Sequence, residues 1–201
     1  MRIAGSAAPP PDGLDLPGFA APVADAQACF RAVLDAMAHP GRIVAAGVGL
    51  RPPAPLAPAA AAVLLTLADA DTPLWLDPAL AAAAPWLAFQ CGVPATARDR
   101  AAFVVTTTLP ALEDLARGTD AVPEAGATVI LQIAALGTGP ALRLSGPGLA
   151  APALLAAEGL PAAFPSFWSR NRALFPCGID LLLCAGTCLA ALPRSVTAPA
   201  P

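Results

Sequence analysis

The feature that most constrains the fold of this chain is a run of almost entirely apolar residues at positions 128–135. A strand of that composition has to be covered on both faces, because either face would otherwise expose apolar side chains to water. Helical and strand-like patterns alternate before this run, and paired strands follow it. We therefore predict an α/β protein in which a mixed sheet lies between two helical layers, a three-layer αβα sandwich.

Hydrophobic periodicity and the positions of Pro and Gly predict the individual elements. Helices are predicted at residues 22–37, 58–70, 78–89, 110–117 and 165–174. Strands are predicted at residues 42–46, 72–76, 101–107, 128–135, 141–144, 179–184 and 188–192. Residues 149–163 are predicted to be loop or weak helix. The buried face of the first helix is predicted to carry Phe30, Val33, Leu34 and Met37.

The domain organisation follows from length and composition. A chain of 201 residues is long enough for one domain with a sizeable core. Residues 1–21 are rich in Pro, Gly and Ala and have no periodicity, so we predict a flexible amino-terminal arm. Residues 22–195 are predicted to form a single α/β domain, and residues 196–201 a carboxy-terminal tail.

Composition also bears on where the protein works. The chain is 57% apolar, but its longest apolar run, residues 54–68, is interrupted by Pro55 and Pro58. A membrane-spanning helix needs about 20 nearly unbroken apolar residues, so no membrane association is predicted. Five cysteines, an odd number, favour free thiols in a reducing cytoplasm. A net charge of −3 does not favour nucleic-acid binding.

The basic residues are eleven arginines, without a single lysine. A Schiff base to pyridoxal phosphate requires a lysine amine, and so does the phosphate-binding P-loop. Both kinds of chemistry are therefore excluded for this chain, and no cofactor is predicted on it.

Several segments, in the same order over residues 22–195, together resemble one protein family. The most specific are Gly118-Thr-Asp-Ala-Val-Pro-Glu-Ala-Gly-Ala-Thr128, Leu142-Arg-Leu-Ser-Gly-Pro-Gly148 and Phe175-Pro-Cys-Gly-Ile-Asp-Leu181. Shorter matches lie at residues 25–31, 37–41, 64–69, 71–75 and 192–194. On these segments the chain resembles the H subunit of bacterial carbon–phosphorus lyase.

The resemblance implies a fold similar to the large domain of pyridoxal-phosphate-dependent transferases, without that cofactor. It implies a homodimer that joins three other subunits, G, I and J, in a core complex. It implies a role in transferring an alkylphosphonate to the ribose C1 of ATP with release of adenine. In this family the transfer chemistry is placed on the I subunit and the later radical step on the J subunit, so no catalytic residue carries over to this chain.

A loop shaped by Gly118, Pro123 and Gly126 presents the carboxylates of Asp120 and Glu124 directly before the central strand. In α/β proteins, ligand and partner contacts often lie beside strand ends. The carboxylates are suited to orienting a phosphonate through a metal or to meeting arginines of a partner subunit. Alternatively, they cap backbone amides of a solvated turn. We interpret the loop as a contact surface, with catalysis the less favoured use.

Two further charged residues lie in predicted strands. Arg143 is either a guanidinium fork for a phosphate or phosphonate oxygen or the partner of a carboxylate such as Glu124. Asp180 begins an apolar strand, where an unpaired carboxylate is costly. Capping a loop amide, or pairing with Arg143 or Arg194, is therefore favoured over a role as general base.

The predicted helix 165–174 carries a cluster that includes Trp168, Arg170 and Arg172. Trp and Arg are enriched at the energetic centres of interfaces. These residues are therefore predicted to form either an exposed contact patch or, equally, a core Trp with solvated arginines.

His39, the only histidine, is predicted to end the first helix rather than to act in catalysis. Cys177, Cys184 and Cys188 are predicted to pack as small apolar residues, and no metal site is predicted.

Overall fold

Alternation of side chains along the central strands divides the core into two halves. In the computed structural model, which describes residues 15–199, Ile130 and Leu182 are buried in one half. Their sequence neighbours Val129 and Leu181 are buried in the other. Successive side chains of a strand point to opposite faces of its sheet. The apolar run is therefore covered on both faces, as its composition predicts.

Residues 15–199 contain four α-helices, three short 3-10 helices and ten strands. The α-helices are α1 (Pro22–Ala38), α2 (Pro58–Leu67), α3 (Ala84–Cys91) and α4 (Phe164–Ala173). The 3-10 helices are Pro78–Ala83, Arg98–Arg100 and Leu112–Asp114. The strands are β1 (Val44–Ala45), β2 (Leu74–Leu76), β3 (Phe103–Thr106), β4 (Arg117–Thr119), β5 (Val122–Gly126), β6 (Thr128–Gln132), β7 (Ala135–Leu144), β8 (Ala153–Glu158), β9 (Asp180–Ala185) and β10 (Cys188–Leu192).

Six of these strands form one mixed sheet in the order β1-β10-β9-β6-β3-β2. Strands β2, β3, β6 and β9 are parallel, whereas β10 is antiparallel to both β9 and β1. Val129 of β6 lies between Val104 of β3 and Leu181 of β9. The predicted mixed sheet is thus confirmed, with the apolar run near its centre.

The two faces of the sheet are covered differently. Helices α1, α2 and α3 pack on one face, and α2 is buried on nearly all sides because residues 59–64 are all Ala, Val or Leu. On the other face, α4 contributes Phe164 and Trp168, and the antiparallel hairpin β7–β8 contributes Leu142 and Leu155. The second layer is therefore a helix plus a hairpin, because part of the segment predicted to be loop or weak helix forms β8.

Three predicted helices differ from the observed structure, of which the one predicted at 78–89 is divided into the 3-10 helix Pro78–Ala83 and α3. In α1 the buried residues are Cys29, Val33 and Ala36, whereas Phe30 and Leu34 are about half exposed. Val33 is buried and Met37 packs against the core, as predicted. The centre of the buried face is nevertheless shifted by about one residue, which corresponds to 100°, so that the small side chains of Cys29 and Ala36 face the core. The predicted helix at 110–117 is a single 3-10 turn, Leu112–Asp114, after which the chain enters β4.

The segments predicted as an arm and a tail are packed where the structure describes them. The carbonyl of Leu16 accepts a hydrogen bond from the Trp86 indole at 2.7 Å. Val196 is buried, and its carbonyl accepts a hydrogen bond from the Trp168 indole at 2.8 Å. Thr197 pairs with Ser145 at the edge of β7, so residues 196–199 extend the hairpin rather than forming a tail. The rest of the predicted arm, residues 1–14, and the tail residues 200–201 lie outside the described residues.

Within residues 15–199, none of the helices combines the length and the apolar composition needed to cross a lipid bilayer.

Candidate functional site

The predicted contact loop is a two-stranded hairpin, β4–β5, which we call the clamp hairpin (residues 117–126). It lies at the amino-terminal ends of β6 and β9, because Gly178 donates to the Arg117 carbonyl at 2.7 Å and Ala127 to the Ala116 carbonyl at 2.8 Å. In open α/β sheets, ligands usually bind at the carboxyl ends of the strands. The hairpin is therefore at the opposite edge from the usual ligand crevice, which favours a contact surface over a catalytic one.

Asp180 and Arg194 fasten the clamp hairpin to the sheet. The Arg194 guanidinium donates to one Asp180 carboxylate oxygen from Nη2 at 2.6 Å and from Nε at 3.1 Å. The second oxygen accepts the Arg194 backbone N–H at 2.8 Å. Nη1 of Arg194 donates to the Pro123 carbonyl at 2.6 Å. Of the alternatives for Asp180, the structure shows pairing with Arg194 together with capping of a backbone amide.

Gly126 allows the hairpin to approach this pair closely, and Gly118 allows the two strands of the hairpin to approach each other. A Cβ atom at Gly126 would lie 2.1 Å from the Gly178 carbonyl oxygen and 2.7 Å from Arg194 Nη1. A Cβ atom at Gly118, which has a φ of 71°, would lie 2.6 Å from the Pro123 carbonyl oxygen. Both positions require glycine for steric reasons, so the local fold explains why glycines bracket this hairpin.

The carboxylates of Asp120 and Glu124 are on the exposed side of the clamp hairpin. Within residues 15–199, neither forms an ion pair, and the Asp120 carboxylate accepts a weak hydrogen bond from Cys177 Sγ at 3.6 Å. Partial burial raises the pKa of the Cys177 thiol, and the bond to Asp120 raises it further. The thiol therefore stays protonated near neutral pH, while both carboxylates are free to meet a partner.

Arg143 lies apart from the clamp hairpin. It is on the exposed face of β7, opposite Leu154 of β8, and its backbone N–H donates to the Pro199 carbonyl at 3.1 Å. In the described part of the chain it has no carboxylate within 4.0 Å, so the alternative of an ion pair with a carboxylate such as Glu124 is wrong. The four charged candidates do not converge on one pocket.

The predicted patch on α4 is divided between core and surface. Trp168 is fully buried, so it is a core residue and not an exposed anchor. Arg170 is exposed and pairs with Glu113 at 2.9 Å. Arg172 is half-buried, and its guanidinium stacks on the Phe175 ring with 4.8 Å between guanidinium carbon and ring centre.

Sequence reasoning missed the buried Asn171, which joins α4 to β9. Its amide donates to the Ile179 carbonyl at 2.9 Å and accepts the Ile179 N–H at 2.8 Å. The spacing of Phe164, Trp168 and Asn171 places all three on one helix face. That spacing was the available signal, because an Asn on an apolar helix face must find hydrogen-bond partners.

Sequence reasoning also missed the polar residues at the carboxyl edge of the sheet. Asp77 follows β2, and its carboxylate accepts the hydroxyl of Thr106 at 2.9 Å and the backbone N–H groups of Ala79 and Thr107 at 2.9 and 3.1 Å. Partial burial alone would raise the pKa of Asp77, but these hydrogen bonds together lower it. The carboxylate is thus occupied in tying β2 to β3 and in capping the 3-10 helix Pro78–Ala83.

The remaining candidates have structural roles. His39 ends α1, and its Nδ1 lies 3.1 Å from the Asp35 carbonyl oxygen and 2.9 Å from the Asp35 carboxylate. Cys184 is fully buried, and burial raises the pKa of its thiol. In the part of the chain that the structure describes, no group of three or more His, Cys, Asp or Glu side chains is placed to hold a metal ion.

Comparison with known proteins connects this architecture to a family. The family model for "Bacterial phosphonate metabolism protein (PhnH)" matches residues 17–198. The chain belongs to the PhnH family. The match includes the clamp hairpin, α4 and the segment at 196–198 that extends the β7–β8 hairpin. The resemblance drawn from the sequence segments is therefore confirmed.

Two curated relatives match most of the chain. The "Alpha-D-ribose 1-methylphosphonate 5-triphosphate synthase subunit PhnH" of Rhizobium meliloti (strain 1021) is 41% identical over 183 residues, which cover 88% of this chain and 92% of the relative. The "Putative C-P lyase subunit protein HtxG" of Stutzerimonas stutzeri is 35% identical over 177 residues, covering 84% of this chain and 83% of the relative.

Proposed function

We propose that this chain is a non-autonomous subunit of a carbon–phosphorus lyase complex in phosphonate catabolism. At the level of the complex it supports transfer of an alkylphosphonate to the ribose C1 of ATP, with release of adenine. The observation that carries this proposal is the 41% identity to a named synthase subunit over 92% of that subunit's length.

The geometry supports a dependent subunit over a self-sufficient enzyme. A general base or nucleophile has to lie within hydrogen-bond reach of a second reacting group. Asp180 is occupied by Arg194, and Asp77 is occupied by backbone amides and a hydroxyl. Asp120 and Glu124 are exposed on the clamp hairpin, whereas Arg143 is exposed on β7. In this arrangement the described residues offer contacts more readily than a catalytic set.

The clamp hairpin is the part of the chain best suited to contact another subunit. It is rigid, because the Asp180–Arg194 pair and two close glycine contacts fix its shape. It also presents two unpaired carboxylates to solvent. A preorganised acidic surface lowers the cost of association and selects a basic partner surface. We therefore place an arginine- or lysine-bearing face of a partner subunit against it.

The remaining parts of the proposal come from the family. The chain is expected to form homodimers, to join the G, I and J subunits, and to work in the cytoplasm without a cofactor of its own. ATP and the alkylphosphonate are expected to bind at the level of the complex. The fold is expected to be related to the large domain of pyridoxal-phosphate-dependent transferases. The missing lysine agrees with the absence of that cofactor.

The proposal is tested by co-expressing a tagged form of this chain with the G, I and J subunits. All three are expected to copurify with it, and adenine release from ATP and methylphosphonate is expected to require the chain. Adenine release by the purified chain alone would favour a self-sufficient enzyme. Normal alkylphosphonate transfer by a complex that lacks the chain would contradict a role in the transfer step and would leave only the alternative of a scaffold protein.

A further inference from the structure

The half-buried arginines of residues 15–199 differ in whether a carboxylate pairs with them. Three arginines among residues 15–199 are only partly accessible, namely Arg98, Arg172 and Arg194. Arg98 lies 3.3 Å from Asp114, and Arg194 lies 2.6 Å from Asp180. Arg172 has no carboxylate within 4.0 Å in the described part of the chain. Arg172 is therefore the one partly buried cation of residues 15–199 that lacks a counter-ion.

The position of Arg172 is defined even though its charge is not balanced. The Phe175 ring supports the guanidinium from one side, in a stacking contact of 4.8 Å. Its Nε is buried and makes no hydrogen bond to any atom of residues 15–199. Burying a charged group without a partner is unfavourable. A guanidinium without a carboxylate partner can bind an oxyanion through charge-assisted hydrogen bonds.

A cleft beside Arg172 offers space for such an anion. The cleft has a volume of about 290 Å³ and lies between α4 and residues 197–199. Its lining consists of Pro165, Trp168, Ser169, Arg172, Thr197, Ala198 and Pro199. Most of this lining is apolar, and the Thr197 hydroxyl is already bonded to Ser145 at 2.6 Å. The Arg172 guanidinium and the exposed Ser169 hydroxyl are left to bind a polar head group.

We propose that the Arg172 cleft binds a small organic anion, with an oxyanion head group on Arg172 and a short apolar body against Pro165, Ala198 and Pro199. Small-ligand sites are commonly apolar clefts of about 300–1,000 Å³ with a few placed polar groups, and this cleft is at the lower limit. A single arginine and this volume suit a simple alkylphosphonate or carboxylate better than a nucleoside triphosphate. The inference concerns the chain alone and does not depend on the proposed function.

The experiment uses the indole N–H signals of the full-length chain in ¹⁵N–¹H correlation spectra. Trp168 lines the cleft, whereas Trp75 and Trp86 lie elsewhere, so they are internal references. Propylphosphonate and butyrate are titrated separately, with inorganic phosphate as the head group without an apolar body. We expect a saturable shift of the Trp168 signal with one or both organic anions. Binding of inorganic phosphate is expected to be at least several-fold weaker.

Variants of α4 separate the cleft from general charge effects. Arg172→Gln is expected to weaken binding at least ten-fold, in line with loss of a charge-assisted hydrogen bond. Arg172→Lys should keep part of the affinity. Arg170→Gln removes a charge two residues away and should leave binding unchanged. Ser169→Phe fills the cleft without touching the guanidinium, so it should abolish binding even where Arg172→Gln proves unstable.

Three outcomes would overturn the inference. The first is the absence of a saturable Trp168 shift at millimolar probe. The second is equal binding by the wild type and a folded Arg172→Gln or Ser169→Phe variant. The third is equal shifts of all three indole signals, which would indicate non-specific association. None of these bears on copurification with other subunits, so failure here is distinguishable from failure of the proposed function.

Discussion

At the scale of single residues, the Arg194–Asp180 pair determines how the clamp hairpin is held. The side chains are only 13% and 19% exposed, so removing the guanidinium leaves a largely buried carboxylate and the Pro123 carbonyl without donors. We expect Arg194→Ala to lower the free energy of unfolding by about 2–4 kcal/mol. Chemical denaturation measures the change. Arg42→Ala, which breaks the exposed pair with Asp35, is the matched control and should cost less than about 1 kcal/mol. Equal losses in the two variants would contradict the anchoring role.

Asp77 gives a residue-scale prediction for pH. Its folded-state pKa is lowered below its unfolded value, since its hydrogen bonds together outweigh burial. Its contribution to stability is therefore complete above the unfolded pKa of about 3.9 and is lost as pH falls through the lower folded pKa. Unfolding free energies of the wild type and Asp77→Asn, measured from pH 6 to pH 2, should differ most at the upper end of this range and converge at the acidic end. A constant difference would show that ionisation of Asp77 is not involved.

At the scale of elements, substitutions in α1 test whether its buried face is the one predicted from periodicity or the one observed in the structure. Phe30 and Leu34 are 46% and 52% exposed, whereas Val33 is 8% exposed. We expect the double variant Phe30→Gln, Leu34→Gln to change the free energy of unfolding by less than about 1 kcal/mol. Val33→Ala, which leaves a small cavity, should cost about 1–3 kcal/mol. Thermal and chemical denaturation distinguish the cases. A larger loss in the double variant would restore the face predicted from periodicity.

The elements also show what local sequence can specify. The central strand was predictable because residues 128–135 leave no polar face, and Asp180 was predicted to pair because an unpaired carboxylate at a strand start is costly. Strand β8 was not predictable, since Ala153–Glu158 consists of Ala, Leu and Glu, which favour helix. Its conformation comes from pairing with β7, a long-range contact. The sequence patterns predict a loop for the clamp hairpin because its strands are short, and its position depends on distant residues, namely Gly178 and Arg194, which is 71 residues after Pro123.

Within α4, the unpaired Arg172 and the buried Trp168 also show that local sequence does not specify long-range contacts. Periodicity places both residues on one helix, but it cannot tell which arginine of the pair Arg170 and Arg172 finds a carboxylate. The answer depends on Glu113, which is 57 residues before Arg170 and lies in a 3-10 turn that sequence patterns had extended into a longer helix. Side-chain partners supplied by distant segments are therefore the part of a site that one sequence leaves undetermined.

At the scale of the whole molecule, the acidic clamp hairpin is expected to be an assembly surface. The double variant Asp120→Arg, Glu124→Arg reverses its charge without altering a buried contact, so the folded state should be retained. We expect it to lower the yield of copurified G, I and J subunits at least ten-fold, because like charges across an interface are repulsive. Raising the salt concentration should weaken the wild-type association in the same direction.

A charge reversal elsewhere provides the control for that experiment. Glu158→Arg changes an exposed carboxylate on β8, and Arg143→Glu reverses the exposed cation on β7, so both variants lie outside the clamp hairpin. If Glu158→Arg reduces copurification as strongly as the clamp variant, recognition depends on net charge and not on this surface. Arg143→Glu changes the net charge in the opposite direction, so an equal loss in that variant would place a partner contact on β7. If the clamp variant assembles normally yet the complex no longer releases adenine, the two carboxylates act on the reaction and not on docking. Loss of assembly in the clamp variant alone, with an unchanged melting temperature, would assign subunit recognition to the amino-terminal edge of the sheet.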